Sequence, residues 1–207
     1  MLRLWGRVNS LNVQKVLWAL DELGLAHERI DAGGAFGGLD QPDYARLNPN
    51  RRVPVLEDGA VVVWESNAIV RYLAARYGEG TLWAADPGQR APADMWMDWQ
   101  QTVLQVDLGP LFLGLIRTPP GERDEAALAR LAERVASSLG LLEAHLRDRA
   151  FVAGASFSMG DIPLGAAVWR WTALPLAERP AFEAIAAWQA RLMARPGFRA
   201  RVALPLS

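Results

Sequence analysis

Asn48-Pro49-Asn50-Arg51-Arg52-Val53-Pro54-Val55-Leu56-Glu57-Asp58-Gly59-Ala60-Val61-Val62-Val63-Trp64 decides how the first third of this chain is read. Two apolar runs flank Asp58-Gly59, a dipeptide that favours tight hairpins, so the stretch predicts two adjacent antiparallel strands. Trp64-Glu65-Ser66-Asn67 then opens a helix, with Ala68, Ile69, Tyr72 and Leu73 on one face and Gly78 as its stop. Upstream, Leu2 and Leu4 alternate with Arg3 as a strand, and Val13, Val16, Leu17 and Leu20 share a helical face that ends at Gly24. A second alternation runs from Ala26 to Ala32, and Gly33, Gly34, Gly37 and Gly38 mark a loop. The order β-α-β-loop-β-β-α is that of a thioredoxin-like domain, assigned to residues 1–78.

Downstream the apolar period becomes helical throughout. Residues 79–92 hold Gly80, Pro87, Gly88 and Pro92 and read as a linker; helical patterns then cover 93–117, 122–149, 160–172 and 180–194. The expected fold class is α+β: an N-terminal thioredoxin-like domain followed by an all-α helical-bundle domain over 93–207. Two hundred and seven residues, 51% apolar and 22% charged, suffice for a real core.

Composition removes several kinds of chemistry. Twenty-two basic against 23 acidic side chains leave a charge of -1, so no electrostatic footprint for nucleic acid or an anionic membrane is visible. The chain has no cysteine, which excludes disulfides, thiolate zinc sites, iron-sulfur clusters and a cysteine nucleophile. His27 and His145 stand alone without ligand-like spacing, so no metal is expected. Lys15 is the only lysine, and Schiff-base chemistry would rest on it. Arg3, Arg7, Asn9, Asn12 and Lys15 interrupt the first 25 residues, and no apolar run approaches the ~20 residues of a membrane span; a cytoplasmic location is expected.

Three places carry candidate chemistry. Ser10 and Asn12 stand where a helix begins, near Val13. One of them serving as an ordinary N-cap is the plain reading. The functional reading sets a hydroxyl, an amide and the positive end of the helix dipole around a thiolate, lowering a pKa of ~8.5. A thioredoxin-like fold without cysteine must take that thiol from its ligand. Val53-Pro54 is the second place: a strand-initiating proline by default, and a cis proline in this fold, which would turn the Val53 backbone outward to pair with an extended peptide. Arg51 and Arg52 precede it, a solvated pair by default and otherwise available to a carboxylate. Glu65-Ser66 is the third, where a helix start can hold a carboxylate and Glu65 an ammonium. Together these sites ask for a short thiol peptide with an amino-acid head at one end and a carboxylate at the other, which is glutathione.

The chain resembles the cytosolic glutathione transferases over its whole length. The resemblance rests on Ser10-Leu11-Asn12-Val13-Gln14-Lys15-Val16, Asn48 to Leu56, Glu65-Ser66-Asn67-Ala68-Ile69 and Phe157-Ser158-Met159-Gly160-Asp161-Ile162. It implies that Ser10 occupies the place of the thiol-activating serine of theta-like enzymes. Asn12 matches an asparagine facing the sulfur in the bacterial nu-like group, and Val53, Glu65 and Ser66 carry over as glutathione contacts. Many relatives have Gly where Arg51 stands. The resemblance also implies a homodimer, and Trp96, Met97 and Trp99 crowd apolar area onto one helix in a way that suits one, with Asp98 or Gln101 reaching the partner. Phe157 to Ile162 reads as a folding element: Ser158 caps a helix, Asp161 reaches back, and Phe157 with Ile162 forms a hydrophobic staple.

The expected function is transfer of the glutathione thiolate to a small hydrophobic electrophile, with no cofactor besides glutathione as co-substrate. Leu104, Leu108 and Phe112 are the expected lining of an apolar acceptor pocket. Two other readings use the same fold: a glutathione-dependent disulfide reductase, as the nu-like asparagine permits, and a binding protein without turnover.

Overall fold

The structure is a computed structural model and describes residues 1–207. Strand β1 (Leu2–Trp5) runs parallel to β2 (His27–Ile30) and antiparallel to β3 (Val55–Asp58), which pairs with β4 (Val61–Trp64); the sheet order is β2-β1-β3-β4. Leu2 and Leu4 point into the core while Arg3 and Trp5 lie half-buried, the alternation read from sequence. Asp58 pairs with Val61 across Gly59-Ala60, and only Gly59 has positive φ (61°). That is a two-residue hairpin with glycine at the one position that needs left-handed backbone.

Helix α1 (Leu11–Glu22) joins β1 to β2, and α3 (Ser66–Tyr77) follows β4. Between β2 and β3, where only a loop was expected, stands a short helix α2 (Pro42–Leu47), with proline at its first position. The expected linker ends early: Asp86 accepts a hydrogen bond from the Gln89 N–H at 2.8 Å and caps α4 (Pro87–Trp99), so 87–92 is helix. Pro87 takes the position where a missing N–H is harmless.

The helix of α4 continues through a π-helical turn over Gln100–Leu104 into α5 (Gln105–Phe112) and a second π-helical turn over Leu113–Arg117. Then follow α6 (Glu125–Leu146), α7 (Asp161–Ala173), α8 (Glu183–Met193) and a short α9 (Pro196–Arg201) absent from the sequence reading. No helix is long and apolar enough to cross a membrane.

One cluster of 41 buried apolar residues runs from Leu2 and Leu4 in the sheet to Trp188 and Phe198 in the helices. Trp18 of α1 is its joint. Its ring lies 5.0 Å from Phe198 and 5.5 Å from Phe157, and a Cβ added at Gly165 or Gly197 would come within 3.0 Å of it. Two glycines therefore let α7 and α9 close on one indole. Arg195 with Glu22 and Arg201 with Asp21 tie the same edges together at 2.6 and 2.7 Å.

Candidate active site

The turn from β1 to α1 begins the site. Gly6 sits at φ 150°, and a Cβ there would lie 2.4 Å from Val13 and 3.3 Å from Val53, so only glycine fits. The helix starts at Leu11, two residues earlier than expected, which makes Ser10 the N-cap residue in extended conformation. Its backbone carbonyl accepts from Gln14 N–H at 2.9 Å, yet its hydroxyl caps nothing. Ser10 and Asn12 instead line one cavity. The ordinary-cap reading of Ser10 thus holds for the backbone and fails for the side chain.

Asn12 connects this cavity to Ser66. The Ser66 hydroxyl donates to Asn12 Oδ1 at 3.2 Å and is buried at the first position of α3. Ser66 is not the N-cap of α3; Glu65 is, with φ 68° and ψ 116° and an exposed side chain. A non-glycine residue held at positive φ costs of order 1–3 kcal/mol, and such positions concentrate at functional sites.

The Val53-Pro54 peptide bond is cis. Neither the N–H nor the C=O of Val53 has a partner among the turn and loop hydrogen bonds. The loop before it is locked from behind: Tyr44 Oη and Asn48 Nδ2 donate to the Arg52 carbonyl at 2.7 and 2.8 Å, and Asn48 Oδ1 accepts from Asn50 N–H at 3.0 Å. Burial raises the Tyr44 phenol to about 12. Arg51 and Arg52 are exposed, Arg51 facing Asp40 at 3.3 Å. Arg51 has φ 52°, the left-handed conformation glycine adopts freely, which accounts for glycine at this place in the resembling sequences.

Behind Ser66 lies the sole lysine of the chain, to which sequence reading gave no place in the site. Lys15 is buried between the two halves, with Nζ 3.0 Å from Gln100 Oε1, 3.3 Å from Asn67 Oδ1 and 3.5 Å from Ser66 Oγ. All three acceptors are neutral. Burial, helped by the charge of Arg170 and opposed by that of Glu65, lowers its ammonium to about 7. Gln100 passes the network on to Gln105 at 3.1 Å, and Gln105 faces the cavity.

Residues 1–75 match the family model described as "Glutathione S-transferase, N-terminal domain", and residues 101–196 match "Glutathione S-transferase, C-terminal domain". The chain is 40% identical to glutathione S-transferase GstB of Escherichia coli (strain K12) over 216 residues, covering 100% of both. It belongs to the glutathione S-transferase family. It is also 33% identical to glutathione S-transferase 3 of Zea mays, across 99% of this chain and 95% of that one. Among solved structures, the theta class glutathione S-transferase of Xanthomonas axonopodis pv. citri with glutathione bound matches with TM-score 0.96 and 45% identity, covering 100% of this chain and 99% of that chain. The chain is accordingly a transferase enzyme, built on the thioredoxin-like and helical architecture expected.

The cavity that Ser10 and Asn12 share differs from the expected apolar pocket. Leu104 and Leu108 are almost wholly buried in the helical core and do not reach it; of the three expected residues only Phe112 lines it. The first two lie on the inward face of the α4–α5 helix, where core packing claims them. The cavity, about 180 Å³, has Leu11, Phe112 and Leu113 as its apolar lining, with Arg7, Arg117 and Arg170 beside them. These arginines escaped sequence reading because they lie on three elements far apart in the chain. Both π-helical turns flank this wall, in keeping with the frequent use of such turns at functional sites.

The tryptophan face also makes contacts within its own chain. Met97 is fully buried, Trp96 packs edge-on against Trp99 with centroids 5.0 Å apart, and Trp96 Nε1 donates to His145 Nε2 at 3.1 Å. Asp98 pairs with Arg71 of α3 in its own chain. In Phe157 to Ile162 the expected reach-back is present, Asp161 Oδ2 accepting from the Ser158 N–H and hydroxyl at 2.9 and 3.1 Å; the N-cap of α7 is Gly160 rather than Ser158, whose hydroxyl accepts from the Gly160 N–H at 3.3 Å.

Proposed function

We propose that this transferase binds glutathione through residues 1–78 and transfers its thiolate to a small electrophile held against residues 93–207. Val53 offers an unpaired backbone N–H and C=O to the cysteinyl unit beside Pro54. Ser66 with Glu65 receives the glutamyl carboxylate and ammonium, and Arg51 and Arg52 stand on the side of the glycyl carboxylate. Ser10 donates its free hydroxyl to the sulfur, with Asn12 and the N-terminus of α1 adding positive potential. The thiol proton passes to solvent, the thiolate attacks the electrophilic carbon, a C–S bond forms and the leaving group departs with its electron pair. Leu113 and Phe112 take the hydrophobic part of the acceptor.

The observation that carries this reading is the Ser10 hydroxyl, uncommitted at a helix N-cap and opening on the same cavity as Asn12, which binds Ser66. The pH dependence of thiolate absorbance tests it: Ser10→Ala raises the pKa of bound glutathione. An unchanged pKa removes Ser10 from the chemistry.

We further propose a cytoplasmic homodimer. Val61, Val62 and Trp64 expose apolar surface on the edge strand β4, as do Met95, Val103 and Val106 along the long helix. An uncovered apolar edge strand is a liability that a two-fold partner removes. Light scattering is expected to give twice the 22.7 kDa chain mass.

A further inference from the structure

Ten of the chain's 21 arginines face an acid, and Arg71, Arg134, Arg195 and Arg201 each do so within 3 Å. Arg7, Arg117 and Arg170 take part in none of the chain's ion pairs, and the cavity they line contains no acidic residue. Arg170 stacks over Phe112 with its guanidinium carbon 3.9 Å from the ring centroid, and Arg117 approaches the same ring at 5.5 Å. Arg117 also donates to the Ser207 carbonyl oxygen at 3.2 Å. Burial together with the charges of Arg117 and Arg7 lowers Arg170 to about 10, and burial with Arg117 lowers Arg7. Three guanidinium groups thus repel one another around a space of about 180 Å³, the share of about six water molecules.

We infer that the acceptor of this transferase is a small electrophile bearing a carboxylate, gripped by Arg7, Arg117 and Arg170 while its reactive carbon faces Ser10. The inference rests on the glutathione reading above and adds the substrate class. A guanidinium fork matches a carboxylate in two parallel hydrogen bonds, and an apolar stem can lie on Phe112. The arrangement also meets a kinetic need. A thiolate attacking an anionic molecule meets like-charge repulsion in water, and cations fixed beside both partners remove it without reorganising. With a haloacetate the step is balanced: the sulfur lone pair forms the C–S bond, the carbon–halogen bond breaks, and halide leaves with the electron pair.

Calorimetry with three ligands tests this directly: glutathione, S-carboxymethylglutathione and its neutral isostere S-carbamoylmethylglutathione. The carboxymethyl form is expected to bind about tenfold or more tighter than the carbamoylmethyl form, the worth of a charged hydrogen bond. Arg7→Gln combined with Arg117→Gln should erase most of that difference; Arg170 is spared because it is stacked and buried. Iodoacetate should likewise be accelerated over its uncatalysed rate about tenfold more than iodoacetamide. Glutathione supplies the only thiol in that assay, since the chain has no cysteine. Equal affinities for the two conjugates, equal acceleration of the two alkylators, or a preference untouched by the double variant overturns the inference and leaves glutathione binding intact. Failure of glutathione itself to bind overturns the underlying reading, a result visible in the first titration.

Discussion

Asp161 and Lys15 are both buried and ionisable, and the fold treats them in opposite ways. Asp161, at the start of α7, accepts four hydrogen bonds: from Val152 N–H at 3.0 Å, Ser158 N–H at 2.9 Å, the Ser158 hydroxyl at 3.1 Å and Trp188 Nε1 at 2.9 Å. Burial pushes its carboxyl above the usual range against the pull of those donors. Lys15 has three partners at 3.0 to 3.5 Å, all neutral. The first group is saturated and holds a loop to a helix. The second is held loosely at the meeting of the two halves, next to the residues proposed to bind the glutamyl end. A buried charge with full donors is a structural part; one without a counter-charge is poised to answer a ligand.

The largest effect expected is at Asp161. Asp161→Ala strands four donors and should cost about 3 to 5 kcal/mol, read as a lower urea midpoint at unchanged slope. A loss below about 1 kcal/mol would place Asp161 and Lys15 in the same class and erase the contrast.

Ser66→Ala should weaken glutathione binding by about 1 to 3 kcal/mol, since a hydrogen bond to a charged carboxylate is lost. Calorimetry reads it, and an unchanged Kd would move that carboxylate elsewhere.

Lys15 should write itself into the pH dependence of stability. Its ammonium ionises near 7 in the folded chain and near the ordinary 10.5 when unfolded, so between these values the unfolded state binds the extra proton. Stability therefore rises with pH from about 7 toward 10, by up to about 1.4 kcal/mol per unit. Above about 10, Tyr44 works the other way, because its raised phenol keeps a proton in the folded chain that the unfolded chain loses. Lys15→Met is expected to flatten the rise between 7 and 10, measured by denaturant titrations across that range. A slope that survives the substitution belongs to another group.

The smallest signal is the sharpest on function. An anionic glutamyl carboxylate arriving at Ser66 should favour the charged form of Lys15, so binding near pH 7 takes up a fraction of a proton. Calorimetric heats measured in buffers of different ionisation enthalpy reveal it, and Lys15→Met should abolish the difference between buffers.

The two groups also differ in how far they were legible beforehand. Asp161 belongs to a six-residue motif, Phe157 to Ile162, whose capping logic is local, and the structure follows it. Ser10, Asn12, Val53 and Ser66 could be singled out for a similar reason, since each stands at or beside a helix start or strand start that a short pattern identifies; the role proposed for them is what the titrations test. The position of Lys15 between Ser66, Asn67 and Gln100 depends on contacts 51 to 85 residues away. Arg7, Arg117 and Arg170 meet only because the β1–α1 turn, the long helix and α7 converge, and no spacing along the chain announces that. Leu104 and Leu108 lie in the core and off the cavity beside Ser10, because helical period gives a face without saying which neighbour it meets. Pro87 and Pro92 suggested a linker, yet Pro87 stands at the first helical position, where the N–H has no partner to lose, and α4 carries Pro92 inside the helix.

Trp18 has a consequence for modularity. It belongs to the first half by sequence and to the second by packing, since Gly165 and Gly197 make room for it and Phe157 and Phe198 close around it. Cutting the chain between Gly80 and Asp86 would open an indole-sized socket in one fragment and leave a bare indole on the other. The two halves pack as one unit: a chimera that grafts a relative's helical half onto this sheet must bring small residues at 165 and 197, or the joint does not close.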